Sequence, residues 1–130
     1  MLLSESISNI IVKTASTYIG RPYDYKTFDC VHFIVSVYKD VGIFIPRFGS
    51  EGYPPSNLHL DLSGFQRMPR GHSVFFKRKT SMSSRVWTHM ALIFSSTHLV
   101  HCSRHCGSGV VVTPRDEFLE MYSLAPQRPC

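Results

Sequence analysis

The 130 residues carry 14 Lys and Arg against 9 Asp and Glu, a formal net charge of +5, with 43% hydrophobic and 18% charged residues. These proportions exclude a disordered chain, and no apolar run is long enough to span a bilayer. Four cysteines, at 30, 102, 106 and 130, are too irregular for a disulfide framework.

The length reads as one domain over residues 1–130. The basic excess favours anionic partners such as nucleic acid, acidic glycans or cell-wall polymers. Basic residues are scattered apart from Lys77-Arg78-Lys79, and no nucleic-acid motif accompanies them, so no nucleic-acid partner is expected. Met1-Leu2-Leu3-Ser4-Glu5 lacks the basic start of a secretory signal, which predicts synthesis in the cytoplasm without a signal peptide.

In chain order, Ile7, Ile10, Ile11, Thr14, Ala15 and Tyr18 recur at three- and four-residue steps between Ser4 and Gly20. They predict a helix that Ser4 caps, Gly20 follows, and this stripe buries. Pro22 forbids its continuation, and residues 21–29 form a short connection. Asp29 is a good N-cap for a second helix opening at Cys30, with Phe28 placed to staple the turn. On the wheel of residues 30–41, His32, Ser36, Lys39 and Asp40 share a polar arc. Val31, Ile34, Val35, Val37, Tyr38 and Val41 are apolar, and Cys30 falls in their sector. Gly42 ends the helix, residues 43–47 are a brief extended piece, and residues 48–71 form a turn-rich excursion suited to a substrate-facing wall.

The second half changes character. Residues 72–76, 89–95, 98–103 and 109–113 are β-rich runs separated by polar turns, which predicts an antiparallel meander with a hairpin turn at Ser95-Ser96-Thr97. Pro114-Arg115-Asp116-Glu117 opens a further turn or two of helix, and the tail from Ala125 is expected to be poorly ordered. Two helices followed by an antiparallel sheet make an α+β order.

Cys30 stands where unpaired amides and the helix dipole favour a thiolate. Taken alone, a buried cysteine is more often a small core residue. Catalysis needs a histidine brought to the same place. His89 opens the second strand run, and His101 lies twelve residues later on the next, so antiparallel pairing can bring the two imidazoles together. A histidine then activates the thiol and protonates the leaving amine, while a third group fixes its tautomer.

The order of motifs resembles the NlpC-type cell-wall cysteine peptidases. It comprises Gly20-Arg21-Pro22-Tyr23, Asp29-Cys30 opening a helix, Val41-Gly42-Ile43 with Pro46-Arg47, Gly71-His72-Ser73-Val74-Phe75-Phe76, His89-Met90-Ala91-Leu92-Ile93 and Leu99-Val100-His101. The resemblance covers about Gly20 to Thr113. It implies a papain-like α+β domain whose Cys helix packs on an antiparallel sheet, and an enzyme cutting peptide or amide bonds in peptidoglycan stem peptides. Cys30 would be the nucleophile, His89 the general base and acid, and His101 the orienting third member. Tyr23 would lie near the substrate or oxyanion, with no metal or cofactor. Val31-His32 after the cysteine and Gly71-His72 before the first strand depart from the family's Ser-Gly and Gly-Asp.

The further expectations are peptidoglycan peptides as partners, a monomer, and action in the periplasm or wall after delivery by other machinery. A secreted effector toxin, with an immunity protein to neutralise it, or a phage lysis enzyme would fit. Two alternatives stand beside this reading. His101-Cys102-Ser103-Arg104-His105-Cys106 offers two thiols and two imidazoles for zinc. A non-catalytic module could instead hold a wall peptide with Tyr23, Trp87 and the 48–71 excursion. The enzyme predicts a Cys30 thiol of depressed pKa, alkylated ahead of the other cysteines at mildly acidic pH and slowed by His89→Ala.

Overall fold

The computed structural model describes residues 4–43, 70–85, 87–104 and 108–125. The first helix, α1, runs Glu5–Ser16, and the Ser4 hydroxyl accepts from the Ile7 amide at 3.2 Å, as its sequence position predicts. Its buried face differs from the predicted stripe. Ser8, Ile11, Val12 and Ala15 turn inward, whereas Ile7 and Ile10 are 42% and 53% exposed. The 8-11-12-15 and 7-10-11-14 rows lie one residue apart on the wheel, so a small rotation about the helix axis exchanges one face for the other.

The second helix, α2, spans Cys30–Asp40. Asp29 Oδ1 accepts from the Val31 and His32 amides at 3.0 and 2.9 Å, filling two of the vacancies at the helix start. Phe28 meets Phe33 edge-on at 6.3 Å, the staple expected across that turn. Tyr18 stacks on Phe28 and bonds Asp40, which ties the end of α1 to both ends of α2. Gly42, at φ 83°, makes the reversal after α2 that a side chain would resist.

Five strands follow: β1 (Ser73–Arg78), β2 (His89–Ile93), β3 (His98–Ser103), β4 (Gly109–Pro114) and β5 (Tyr122–Leu124). Between the last two lies α3 (Arg115–Met121). The sheet order is β4-β3-β2-β1-β5, and all pairs are antiparallel. The predicted meander is therefore present, its turn at residues 95–97 included. It gains β5, which pairs Lys77 with Ser123 and Arg78 with Tyr122, so β1 extends into what the sequence reads as loop. The predicted excursion at 48–71 lies outside the described residues except for Arg70 and Gly71. The tail beyond Ala125 lies outside them entirely.

Strand residues alternate between two cores. Phe75, Met90, Leu92, Val100, Cys102 and Val110 face α1 and α2, whereas Val74, Phe76, Ala91, Ile93 and Leu99 face Phe118 of α3 and Tyr122. With helices on both sides, β2 is buried at every position and reads as a continuous apolar run. Tyr38 anchors α2 to the sheet, donating its hydroxyl to the Gly71 carbonyl at 2.8 Å. The architecture is α+β, with the Cys helix packed on an antiparallel sheet. Among the described residues no helix is long and apolar enough to cross a membrane.

Candidate active site

The β2–β3 ladder is short. Leu92 pairs with Val100 and Ile93 with Leu99. Continued one step further, the register would set Ala91 opposite His101 and Met90 opposite Cys102, but there the strands part. Ile93 donates its amide toward β1, to the His72 carbonyl. Amides alternate along a strand, so Met90, three residues earlier, aims its N–H into the opening on the β3 side. Cys30 fills that opening. Its sulfur accepts from the Met90 amide, which would otherwise face the gap where pairing stops.

The two histidines belong to the α3 face. His89 Nε2 lies 2.8 Å from His101 Nδ1, and His101 Nε2 lies 2.9 Å from Thr113 Oγ1. Each contact joins residues twelve apart and displaced by two from the directly opposite position, so the three side chains form a diagonal row across β2, β3 and β4. Aromatic rings hold the row. His89 stacks on Tyr122 at 4.7 Å, Tyr122 stacks on Phe118 at 4.6 Å, and His101 meets Phe118 edge-on at 4.9 Å.

His101 is fully buried, and burial lowers its pKa from 6.5 to about 4, so it is a neutral imidazole near pH 7. Proton direction follows from that neutrality. A His101 Nε2–H donating to the Thr113 hydroxyl leaves Nδ1 to accept from His89 Nε2–H, and His89 Nδ1 is then the unprotonated nitrogen. The reverse direction puts a proton on His89 Nδ1. Only the first accommodates a charged His89, whose Nε2–H requires an acceptor on His101.

A cavity of about 350 Å³ opens at the parted strands, and its lining includes Tyr23, Asp29, Cys30, Trp87, His89, Cys102 and Tyr122. Of the sequence-predicted site residues, Tyr23, Cys30 and His89 line it together, and His101 stands behind His89. Tyr23 is carried on a segment sewn to the edge of β4. Gly20 N–H donates to the Val110 carbonyl, Val110 N–H to the Arg21 carbonyl, and Tyr23 N–H to the Ser108 carbonyl, at 2.9, 3.0 and 3.1 Å. Gly109 permits this approach, since a Cβ there would stand 2.6 Å from the Arg21 carbonyl oxygen. Desolvation, and next the Asp29 charge, raise the pKa of Tyr23, so its phenol stays a hydrogen-bond donor.

The thiol departs from its sequence expectation. Burial is the main cause that pushes Cys30 up to about 12, and the Asp29 charge adds to it, outweighing the amide bonds from Met90 and Val31. The favourable helix start remains, because Cys30 is the first helical residue and no acceptor takes its own amide among the described residues. Desolvation is the larger effect. Cys30 is itself only half-buried, and the desolvation around it favours the protonated thiol.

Cys102 lies in the same cavity lining, its sulfur 3.5 Å from the Phe28 carbonyl oxygen, and burial pushes it up to about 11. It faces α2, whereas His101 faces α3, so neighbouring positions of the proposed zinc cluster point to opposite sides of the sheet. His105 and Cys106 lie outside the described residues. Sequence reasoning did not single out Thr113, the Met90 amide or the Tyr122–Phe118 shelf. The repeated interval of twelve could have pointed to Thr113, and β5 was too short to be seen at all.

No family model matches the sequence, and no curated protein does. Solved structures do. A Bacillus cereus NlpC/P60 family protein superposes with a TM-score of 0.62 at 25% identity, covering 93% of this chain and 39% of its own. A Staphylococcus aureus protein described as similar to lipoprotein, of the NLP/P60 family, gives a TM-score of 0.67 at 19% identity, covering 100% of this chain and 44% of its own. The chain thus spans about two fifths of the length of either structure. The fold of the described residues is of the NlpC/P60 type.

Proposed function

We propose that this protein is a cysteine hydrolase that cleaves amide or peptide bonds in peptidoglycan stem peptides, with Cys30 as nucleophile, His89 as base and acid, and His101 as the orienting group. The observation that carries the reading is the meeting of Cys30 and His89 at one cavity on an NlpC/P60-type fold, with His89 braced by His101. The unit is proposed to act as a single domain in the cell wall or periplasm.

In the proposed reaction the Cys30 proton passes to His89 Nδ1 as the sulfur attacks the scissile carbonyl, and a C–S bond forms. The carbonyl π pair moves to oxygen. The Cys30 amide and the Tyr23 hydroxyl are the donors suited to that oxyanion. The imidazolium is stabilised by His101 Nδ1, and then gives its proton to the departing amine as the C–N bond breaks. Water completes the cycle. His89 takes a water proton, the hydroxide attacks the thioester, and the C–S bond breaks to return the thiol and release the acid.

The test is digestion of purified peptidoglycan by the wild type and by Cys30→Ala, with released muropeptides resolved by mass. New fragments from the wild type alone support the reading, and their masses name the bond. Identical profiles from the two folded proteins would refute it.

A further inference from the structure

The cavity is lined by more positive charge than its proposed chemistry uses. Besides the thiol and His89, it is lined by Arg78 at the end of β1, Arg85 in the loop before β2, and Arg104 just past β3. Arg78 and Arg85 flank one loop, and the fold brings Arg104 from beyond β3 to the same opening. Arg85 and Arg104 are exposed, and the charge of Arg104 is close enough to Tyr23 to pull on its phenol. Among the described residues, Asp29 is the one acidic side chain in the lining. It is already committed, because its Oδ1 accepts from two first-turn amides and lies 2.7 Å from His32 Nδ1. The cavity therefore presents guanidinium groups to whatever enters. A guanidinium offers paired donors in a planar fork that match a carboxylate, a fit an ammonium group lacks.

We propose that Arg85 and Arg104 seat a carboxylate of the substrate beside the bond under attack, so that the preferred substrate is an acidic peptide and its carboxamide counterpart is rejected. This deepens the hydrolase reading and rests on it. The subsite itself can be probed without turnover.

Iodoacetate and iodoacetamide are near-isosteric alkylating agents that differ in one charge. With either, the Cys30 thiol loses its proton to solvent and its sulfur displaces iodide from the methylene carbon, forming one S–C bond as one C–I bond breaks and releasing one iodide. The rate ratio of iodoacetate to iodoacetamide at Cys30, read by mass on the Cys30 peptide, is compared with the ratio for free cysteine. Cationic focusing in the cavity should raise it about tenfold over the free thiol. The ratio should fall most of the way toward the free-thiol value in Arg85→Gln/Arg104→Gln, where Arg78 remains, and collapse in about 1 M salt. A ratio equal to that of free cysteine, or one unchanged by the double substitution, would overturn the proposal. In parallel, a wall stem peptide and its carboxamide form are offered to the wild type. Faster cleavage of the carboxylate form, lost in the double variant, supports the subsite in its substrate role. Equal cleavage of both overturns that role while leaving the hydrolase intact. Cleavage of neither counts against the hydrolase, and the alkylation ratio then decides the anion site on its own.

Discussion

The two ends of the β2–β3 pair behave oppositely. At Leu92 and Ile93 the ladder is closed, both residues are buried, and the side chains are hydrocarbon packed on hydrocarbon. At His89 and Met90 the ladder to β1 continues but the side toward β3 is open, and groups on that side take partners outside the sheet pattern. The Met90 amide takes a sulfur from another element, and His89 takes an imidazole from the next strand. The closed end holds the fold, and the open end concentrates groups that can change protonation. The lesson is general: where a ladder stops early inside a core, the freed amides and side chains become available for chemistry.

The comparison can be broken at either end. His89→Gln, which keeps an amide donor toward His101, should lower the hydrolytic kcat by about 10³-fold, the range of a lost general base, with a much smaller effect on urea unfolding. Leu92→Ala should do the reverse. The cavity at the closed end costs about 3 kcal/mol in urea unfolding, with kcat per folded molecule near that of the wild type. A large activity loss in Leu92→Ala at full folding would show that the two ends are not separable.

Acid should act through the open end. The folded pKa of His101 is about 4 against an ordinary 6.5, so between these values the unfolded chain binds a proton that the folded chain refuses. Stability is unaffected by this group above about pH 6.5, falls as the pH drops through that window, and should be lower by roughly 3 kcal/mol at pH 4. Urea titrations at a series of pH values read the slope, and His101→Asn should flatten it.

Smaller effects sharpen the picture. Gly109→Ala pushes a methyl at the Arg21 carbonyl and should cost about 2 kcal/mol, with KM raised because Tyr23 rides on the displaced segment. Unchanged stability and KM would mean that the segment gives way without moving the phenol. Thr113→Val removes one hydrogen bond behind His101 and should lower kcat about tenfold, with Thr113→Ser restoring it. Equal kcat in the Val and Ser variants would show that the hydroxyl does not set the direction of the proton row.

Much of this was legible in the sequence, because strong local signals and short-range spacing agreed. Ser4 and Asp29 are caps where their side chains predict, Gly42 turns where it should, and the strands follow their apolar runs. The His89–His101 contact was readable from one hairpin. What was missed needed three-dimensional information. The inward face of α1 is shifted by one residue, since which side of the helix meets the rest of the core is set by tertiary packing that periodicity alone does not weigh. β5, at three residues, is too short to carry a pattern and exists because β1 offers it an edge. The thiol's pKa was misjudged because a helix start is visible in sequence and the desolvation around it is not.

The strip that carries Tyr23 has another effect, on the sheet's outer border. β4 is a terminal strand, and a terminal strand with bare amides invites a strand from another molecule. Here Gly20, Arg21 and Tyr23 already occupy groups on Ser108 and Val110, with Pro22 bridged to Gly109 in the middle. The opposite border, β5, is only three residues long. The segment that delivers a phenol to the cavity thus also shields the chain against strand-by-strand aggregation, and loosening it would trade solubility as well as catalysis.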